Sequence, residues 1–122
     1  MSAINYHERF FAPLCNAENG EAGTATVFHY RQRGRVVWAT YEGGEIVFGT
    51  LVAKAADDGT LDMRYQHVNL RGELMTGRCR TTPEQLPDGR LRLHESWQWT
   101  SGDCSAGTSV VEEIVGGSVR VC

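Results

Sequence analysis

The chain has 122 residues, of which 41% are hydrophobic and 22% are charged, and its formal net charge is -3. This length suits one domain with a buried core, so we predict a single domain over residues 1–122. The balance of hydrophobic and charged residues excludes a disordered chain. The acidic net charge argues against a nucleic-acid partner, because phosphate contacts need a basic surface.

The first residues, Met1 to Asn5, show no basic segment followed by an apolar stretch. No later segment approaches the length that spans a bilayer, so we expect a cytoplasmic protein with no membrane partner. The four cysteines lie far apart and form no C-x-x-C pair; they are Cys15, Cys79, Cys104 and Cys122. This spacing favours neither a zinc site nor a redox motif, and in a reducing compartment it predicts free thiols.

Turn dipeptides divide the chain into short runs that favour strands. In chain order they are Arg33-Gly34, Gly43-Gly44, Asp58-Gly59, Arg71-Gly72 and Asp88-Gly89. The first run lies around residues 6–11, and those flanking the dipeptides cover 24–32, 35–42, 45–54, 60–69, 73–82 and 90–100. Two final runs, 108–115 and 118–121, are separated by Gly116-Gly117. Glycine dipeptides between residues with high β propensity are typical of hairpins.

These runs give about eight or nine antiparallel strands in a meander. An open sheet of that size tends to curl or split, and closure removes its exposed edges. We therefore predict an all-β fold, an antiparallel meander of about eight strands closed into a small β-barrel, with a two-sheet sandwich as the alternative. Residues 16–23 show no strand character and no apolar periodicity, which predicts a surface loop.

The run at residues 90–100 places a carboxyl group among apolar side chains. Strict alternation puts one set of residues on a single face: Leu91, Leu93, Glu95, Trp97 and Trp99. If that face points inward, Glu95 must be paired, hydrogen-bonded or protonated, and it becomes a candidate for ligand binding or acid–base work. Two alternatives are a bulge near Ser96 that turns Glu95 outward, and a structural bond to an interior Arg or Tyr.

Other aromatic and polar residues are placed to line the same interior. His67 shares a face with Tyr65, Leu61 and Met63, and Tyr30 shares a face with Phe28. Small barrels that hold ligands combine an aromatic wall with a few polar groups. We predict that the ligand-binding residues are Tyr30, Tyr65, His67, Glu95, Trp97 and Trp99. The alternative is that these aromatic side chains only fill the core.

Sequence spacing predicts neither a metal nor a cofactor. The four histidines, His7, His29, His67 and His94, show no H-x-H or H-x-x-x-H spacing. The loop at residues 100–108 is rich in glycine and hydroxyl groups but has no P-loop lysine, so we interpret it as a hairpin connection.

Several segments resemble a family of small bacterial proteins, among them Asp62–Tyr65, Gly72–Gly77 and Trp97–Thr100. Members of that family are sometimes labelled N-acetylglutamate synthase, which implies acetyl transfer from acetyl-coenzyme A. The common acetyltransferase fold binds this cofactor with an Arg/Gln-x-x-Gly-x-Gly/Ala turn at a helix start. The nearest string here begins at Arg31 and ends in Val36, and strand-like residues follow it. We therefore do not predict this activity.

The number of hairpins and the chain length also resemble the calycin group, which includes lipocalins, fatty-acid-binding proteins and avidin. This resemblance implies a barrel with a ligand in its interior. Our leading hypothesis is a non-enzymatic barrel that binds a small, partly apolar ligand. A second hypothesis is a small-barrel enzyme, a cyclase, isomerase or lyase, using Glu95 and His67 as acid and base. A third is a ligand-free interaction module that forms a homodimer.

Overall fold

The computed structural model describes residues 4–15 and 19–115, and every helix or strand assigned there is a β-strand. The eight strands are β1 (Arg9–Pro13), β2 (Val27–Arg33), β3 (Val36–Gly43), β4 (Ile46–Ala55), β5 (Leu61–Asn69), β6 (Leu74–Gln85), β7 (Leu91–Trp99) and β8 (Ala106–Glu113). Each strand pairs antiparallel with the next, and β8 pairs with β1 to close the sheet. The predicted meander and closed barrel are confirmed, and the sandwich alternative is wrong.

The five predicted turn dipeptides all lie at hairpin connections or at their edges. Gly59 and Gly89 have φ values of 89° and 90°, which glycine adopts without the strain that other residues would meet. The opening strand begins later than predicted, at Arg9, because His7 and Glu8 form a turn in which Glu8 has a φ of 59°. Tyr6, before this turn, is fully buried, and its hydroxyl donates to the carbonyl oxygen of Gly59 at 2.6 Å. The predicted run at 118–121 lies outside the described residues.

The two ends of the barrel differ. The connections after β2, β4 and β6 lie at one end, which we call the base, and those after β1, β3, β5 and β7 lie at the other, which we call the mouth. The half of the interior nearer the base is filled by side chains that are less than 2% exposed: Tyr6, Phe11, Tyr30, Val37, Leu61, Leu91 and Leu93. Because these side chains fill the base, any cavity must lie in the half of the interior nearer the mouth.

An ionic contact holds the seam between β1 and β8. Arg9 Nη1 donates to Glu113 Oε1 at 2.6 Å, and the same carboxylate oxygen accepts the backbone N–H of Leu91 at 3.0 Å. Only three Cα pairs define the β1–β8 register among the described residues. The β1–β2 ladder is equally short, so the buried Glu113 carboxylate joins β1, β7 and β8 beside the most weakly paired strand of the barrel.

The cysteines follow the sequence prediction in part. Cys79 is a buried free thiol and Cys104 an exposed one, whereas Cys15 is disulfide-bonded, so the prediction of a free thiol is wrong at Cys15. Within residues 4–15 and 19–115 we find no helix of the length and apolarity that crossing a membrane requires.

Candidate functional site

A cavity of about 70 Å³ lies inside the mouth half of the barrel. Its wall is mainly aromatic and aliphatic, with a few polar groups, and includes Phe28, Tyr41, Leu51, Met63, Tyr65, His67, Cys79, Glu95, Trp97, Trp99, Ser109 and Val111. Gly20, Glu21 and Ala22 from the β1–β2 loop also line it. Pockets for drug-sized ligands are usually larger, about 300 to 1,000 Å³. The cavity as it stands therefore suits only a compact molecule or a few waters.

The structure brings together five of the six residues predicted to bind a ligand: Tyr65, His67, Glu95, Trp97 and Trp99. The sixth, Tyr30, does not line the cavity. It is fully buried nearer the base, where its ring packs edge-on against Phe11 with centroids 4.9 Å apart. Among the described residues, the Tyr30 hydroxyl is the one buried side-chain polar atom without a hydrogen-bond partner.

Glu95 points inward, so the alternative of an outward turn at Ser96 is wrong. The β7–β8 register is regular here, and Ser109 lies directly opposite Glu95. The Ser109 hydroxyl donates to Glu95 Oε1 at 3.0 Å, and Trp97 Nε1 donates to Ser109 Oγ at 3.2 Å. Burial raises the pKa of Glu95 from 4.5 to about 7, and the bond from Ser109 opposes that rise. Near neutral pH this carboxyl group can donate or accept a hydrogen bond.

His67 is held on both of its ring nitrogens. Nδ1 forms a hydrogen bond with the Tyr41 hydroxyl at 3.0 Å, and Nε2 donates to Glu21 Oε1 at 2.7 Å. The imidazole also packs edge-on against the rings of Tyr41 and Trp99, with centroids 5.7 Å away in both cases. Its orientation is therefore fixed, and both nitrogens are engaged while Glu21 stays in place.

Glu21 is a residue of the site that the sequence prediction missed. Its carboxylate also accepts hydrogen bonds from Asn69 Nδ2 at 3.0 Å and from Arg71 Nη2 at 2.7 Å, and its side chain is only 11% exposed. The segment around it was predicted to be a surface loop because it lacks periodicity. A lone acidic residue in such a segment carries no signal in the sequence that it turns inward.

Residues 19–26, which we call the mouth loop, are attached to two other connections as well. The Asn19 carbonyl oxygen accepts a bond from Trp99 Nε1 at 3.0 Å, and Asn19 Nδ2 donates to the Ala106 carbonyl oxygen at 3.0 Å. Further along, Thr26 Oγ1 donates to the Gly43 carbonyl oxygen at 3.0 Å. Together with the bonds of Glu21, the mouth loop is therefore hydrogen-bonded to three other connections at the mouth, those after β3, β5 and β7.

Three glycines inside strands shape the aromatic wall, and each lies directly opposite an aromatic residue: Gly49 opposite Tyr41, Gly77 opposite Tyr65, and Gly107 opposite Trp97. A Cβ atom at these positions would lie 2.4, 2.2 and 2.6 Å, respectively, from the nearest ring atom. Glycine therefore lets each ring lie across the neighbouring strand. The available signal in the sequence is a glycine within a strand run instead of at a turn.

The remaining histidines and the acidic residues form no metal centre in the described parts of the chain. No group of three His, Cys, Asp or Glu side chains there is arranged to hold a metal ion. His94 points away from Glu95 and pairs with Glu84 on the outer surface at 2.8 Å. The chemistry of the interior therefore rests on Glu95, His67 and the hydroxyl groups near them.

A comparison with protein families agrees with this architecture. A family model described as "Avidin-like protein" matches residues 4–114, a range that spans all eight strands, the cavity and the mouth loop. No curated protein and no solved structure matches the chain. The avidin-like, calycin-like resemblance suggested by the hairpins is confirmed by the match and by the closed eight-stranded barrel. The chain belongs to the avidin-like family.

Proposed function

We propose that the protein binds a small, partly apolar molecule inside the barrel. The observation that carries the proposal is a cavity with an aromatic wall and an inward-facing carboxyl group on β7, Glu95, in an otherwise packed barrel. Membership of the avidin-like family supports ligand binding in general. Such a wall offers apolar contact area, and the few polar groups fix the orientation of the ligand.

The wall defines which chemistry fits. Trp97, Trp99 and Tyr65 present ring surfaces to the apolar part of a ligand. Glu95 and Ser109 supply a directional hydrogen bond on one side of the cavity, where a ligand hydroxyl, amide or amine finds a partner. A compact ring or short chain carrying one such group matches this arrangement.

Binding is favoured over catalysis because both ring nitrogens of His67 already form hydrogen bonds within the protein. Glu95 and His67 line the same cavity, which an acid–base pair would require. Both ring nitrogens of His67 are nevertheless bonded to protein groups, Tyr41 and Glu21, so neither is open to a substrate in this arrangement. A general acid or base must reach the proton that it transfers.

Filling the cavity tests the proposal, with a matched change on the outer face as control. Leu51 points into the cavity, and its neighbour Val52 is 52% exposed on the outside of the same strand. A panel of compact aromatic and alicyclic compounds is screened by thermal shift against the wild type, Leu51→Phe and Val52→Phe. We expect compounds that stabilise the wild type and Val52→Phe but not Leu51→Phe. Equal stabilisation of a folded Leu51→Phe protein, or no hit at all, would contradict the proposal.

A second candidate function, self-association, is favoured by the outer surface. Phe48, Val68 and Leu74 are direct cross-strand neighbours on β4, β5 and β6, and they are 49%, 36% and 67% exposed. Contiguous apolar residues on a sheet surface often mark an interaction site. Sedimentation velocity should show a dimer for the wild type and a monomer for Leu74→Glu; a wild-type monomer at high concentration would remove this candidate.

A further inference from the structure

A compact cluster of hydrogen-bond donors lies at the mouth, directly above the cavity. His67 Nε2, Asn69 Nδ2 and Arg71 Nη2 converge on one carboxylate, that of Glu21, at 2.7, 3.0 and 2.7 Å. His67 and Glu21 also line the cavity. The cluster is therefore both a carboxylate-binding arrangement and part of the cavity's upper boundary.

The donors are oriented by contacts that do not involve Glu21. The Asn69 carboxamide oxygen accepts the backbone N–H groups of Arg71 and Glu73, both at 3.0 Å, which turns its NH₂ group toward the mouth loop. Tyr41 fixes the imidazole of His67 through Nδ1. Arg71 Nε is held by Glu73 at 2.8 Å, which leaves Nη2 to reach Glu21. The donor set would thus persist without the Glu21 carboxylate.

Donors and acceptor come from different parts of the chain. His67, Asn69 and Arg71 all belong to β5 and the turn after it, whereas Glu21 belongs to the mouth loop. Gly20, Glu21 and Ala22 line the cavity on the side of the mouth loop, and the cavity measures about 70 Å³. A ligand that extends from the cavity toward the mouth loop meets these residues, and with them the carboxylate that the donors bind.

We infer that His67, Asn69 and Arg71 form a binding site for the carboxylate group of the ligand, and that Glu21 occupies this site in the ligand-free protein. The ligand class is a compact apolar acid, with its apolar part in the cavity and its carboxylate at the mouth. The exchange replaces one carboxylate by another at the three donors, so all three, including His67 Nε2, keep a charged acceptor. The inference rests on the proposed function, because one of the three donors, His67, also lines the cavity.

Removing the internal carboxylate tests the inference with acetate as the probe. Glu21→Ala leaves the three donors without this acceptor, and Glu45→Ala is the matched control, since Glu45 lies 3.8 Å from Arg71 but is exposed. Sodium acetate is titrated at constant ionic strength against sodium chloride, and the side-chain NH₂ signals of Asn69 are followed by NMR. We expect a saturable shift in Glu21→Ala, with an affinity at least about tenfold above that of the wild type and Glu45→Ala.

The contrary result is a folded Glu21→Ala protein in which acetate shifts the Asn69 signals no more than chloride does. Should Glu21→Ala not fold, Glu21→Gln keeps the size of the side chain and weakens its hold on the donors. Acetate should then compete better than in the wild type, and equal competition in the two proteins would overturn the inference.

A longer acid separates this inference from the proposed function. A cyclic or branched carboxylic acid should bind Glu21→Ala more tightly than acetate does, and adding Leu51→Phe should abolish that gain because it fills the cavity. Saturable acetate binding with no gain from the apolar part would support the mouth site and contradict ligand binding in the cavity. If acetate does not bind but a compound binds in a way that depends on Leu51, the result would support ligand binding in the cavity and contradict the mouth site.

Discussion

Tyr65 and Gly77 face each other across β5 and β6, and a Cβ atom at residue 77 would lie 2.2 Å from the tyrosine ring. Gly77→Ala must therefore displace the ring or the backbone, and overpacking of this kind costs about 1 to 3 kcal/mol. We expect the free energy of unfolding in urea to fall by that amount. In a Tyr65→Ala background the same substitution should cost much less, because the ring is gone. An equal cost in both backgrounds would show that the contact is not the cause.

The buried carboxyl group of Glu95 predicts a specific pH dependence of stability. Its pKa is raised from 4.5 to about 7 by burial, so between these values the folded state retains a proton that the unfolded state has released. The contribution of Glu95 to the free energy of unfolding is therefore highest below about pH 4.5, falls as the pH rises to about 7, and stays low above it. Glu95→Gln lacks this titration.

Urea unfolding of the wild type and Glu95→Gln across this pH range isolates the effect, since the other titrating groups are common to both proteins. The stability of Glu95→Gln relative to the wild type should increase by on the order of 3 kcal/mol between acidic and mildly alkaline pH. Parallel pH profiles for the two proteins would mean that the Glu95 pKa is ordinary in the folded state.

The seam of the barrel should depend on Glu113. Glu113→Ala leaves the Arg9 guanidinium without its 2.6 Å partner and the backbone N–H of Leu91 without its acceptor. Breaking a buried contact of this kind costs about 3 kcal/mol. The matched control is Glu84→Ala, because the Glu84 side chain is 47% exposed and pairs with His94 on the outer surface. Urea unfolding should show a large loss for the first variant and little for the second; similar losses would contradict this account of the seam.

The two free thiols of the described residues should differ sharply in reactivity. Burial raises the pKa of Cys79 far above its usual value, and nearby Glu95 adds to that rise, whereas Cys104 is exposed. Because the thiolate is the reactive form, iodoacetamide should label Cys104 and leave Cys79 unmodified in the native protein. Peptide mapping by mass spectrometry reads the two sites separately, and Cys104→Ser shows whether labelling is specific. Rapid native labelling of Cys79 would show that the cavity wall opens readily.

Local signals explain why the fold could be predicted. Each hairpin carries its own turn dipeptide, and the alternation in β5 and β7 separates inward from outward residues without reference to the rest of the chain. The inward direction of Glu95 follows from this alternation, and so does the position of Trp97 and Trp99 on the same face. Each of these features depends only on residues that are close together in the sequence, so the sequence pattern is enough to predict it.

Long-range contacts explain what could not be predicted. The Tyr30 side chain points inward as predicted, but it lies too near the base to reach the cavity. The boundary between the packed base and the cavity depends on how Tyr6 and Phe11 fill the interior. Glu21 reaches Arg71 across 50 residues, and no local pattern specifies that contact. The glycines opposite the aromatic rings become meaningful only once the strand register is known.

The central claim, that the barrel holds a small molecule, is tested most directly by native mass spectrometry of the protein purified from its own host. Spectra are recorded before and after mild denaturation, for the wild type and for Leu51→Phe purified in the same way. We predict a reproducible additional mass that the wild type releases on unfolding and that Leu51→Phe lacks. A wild-type chain that carries no additional mass, or one that Leu51→Phe retains equally, would contradict ligand binding in the cavity.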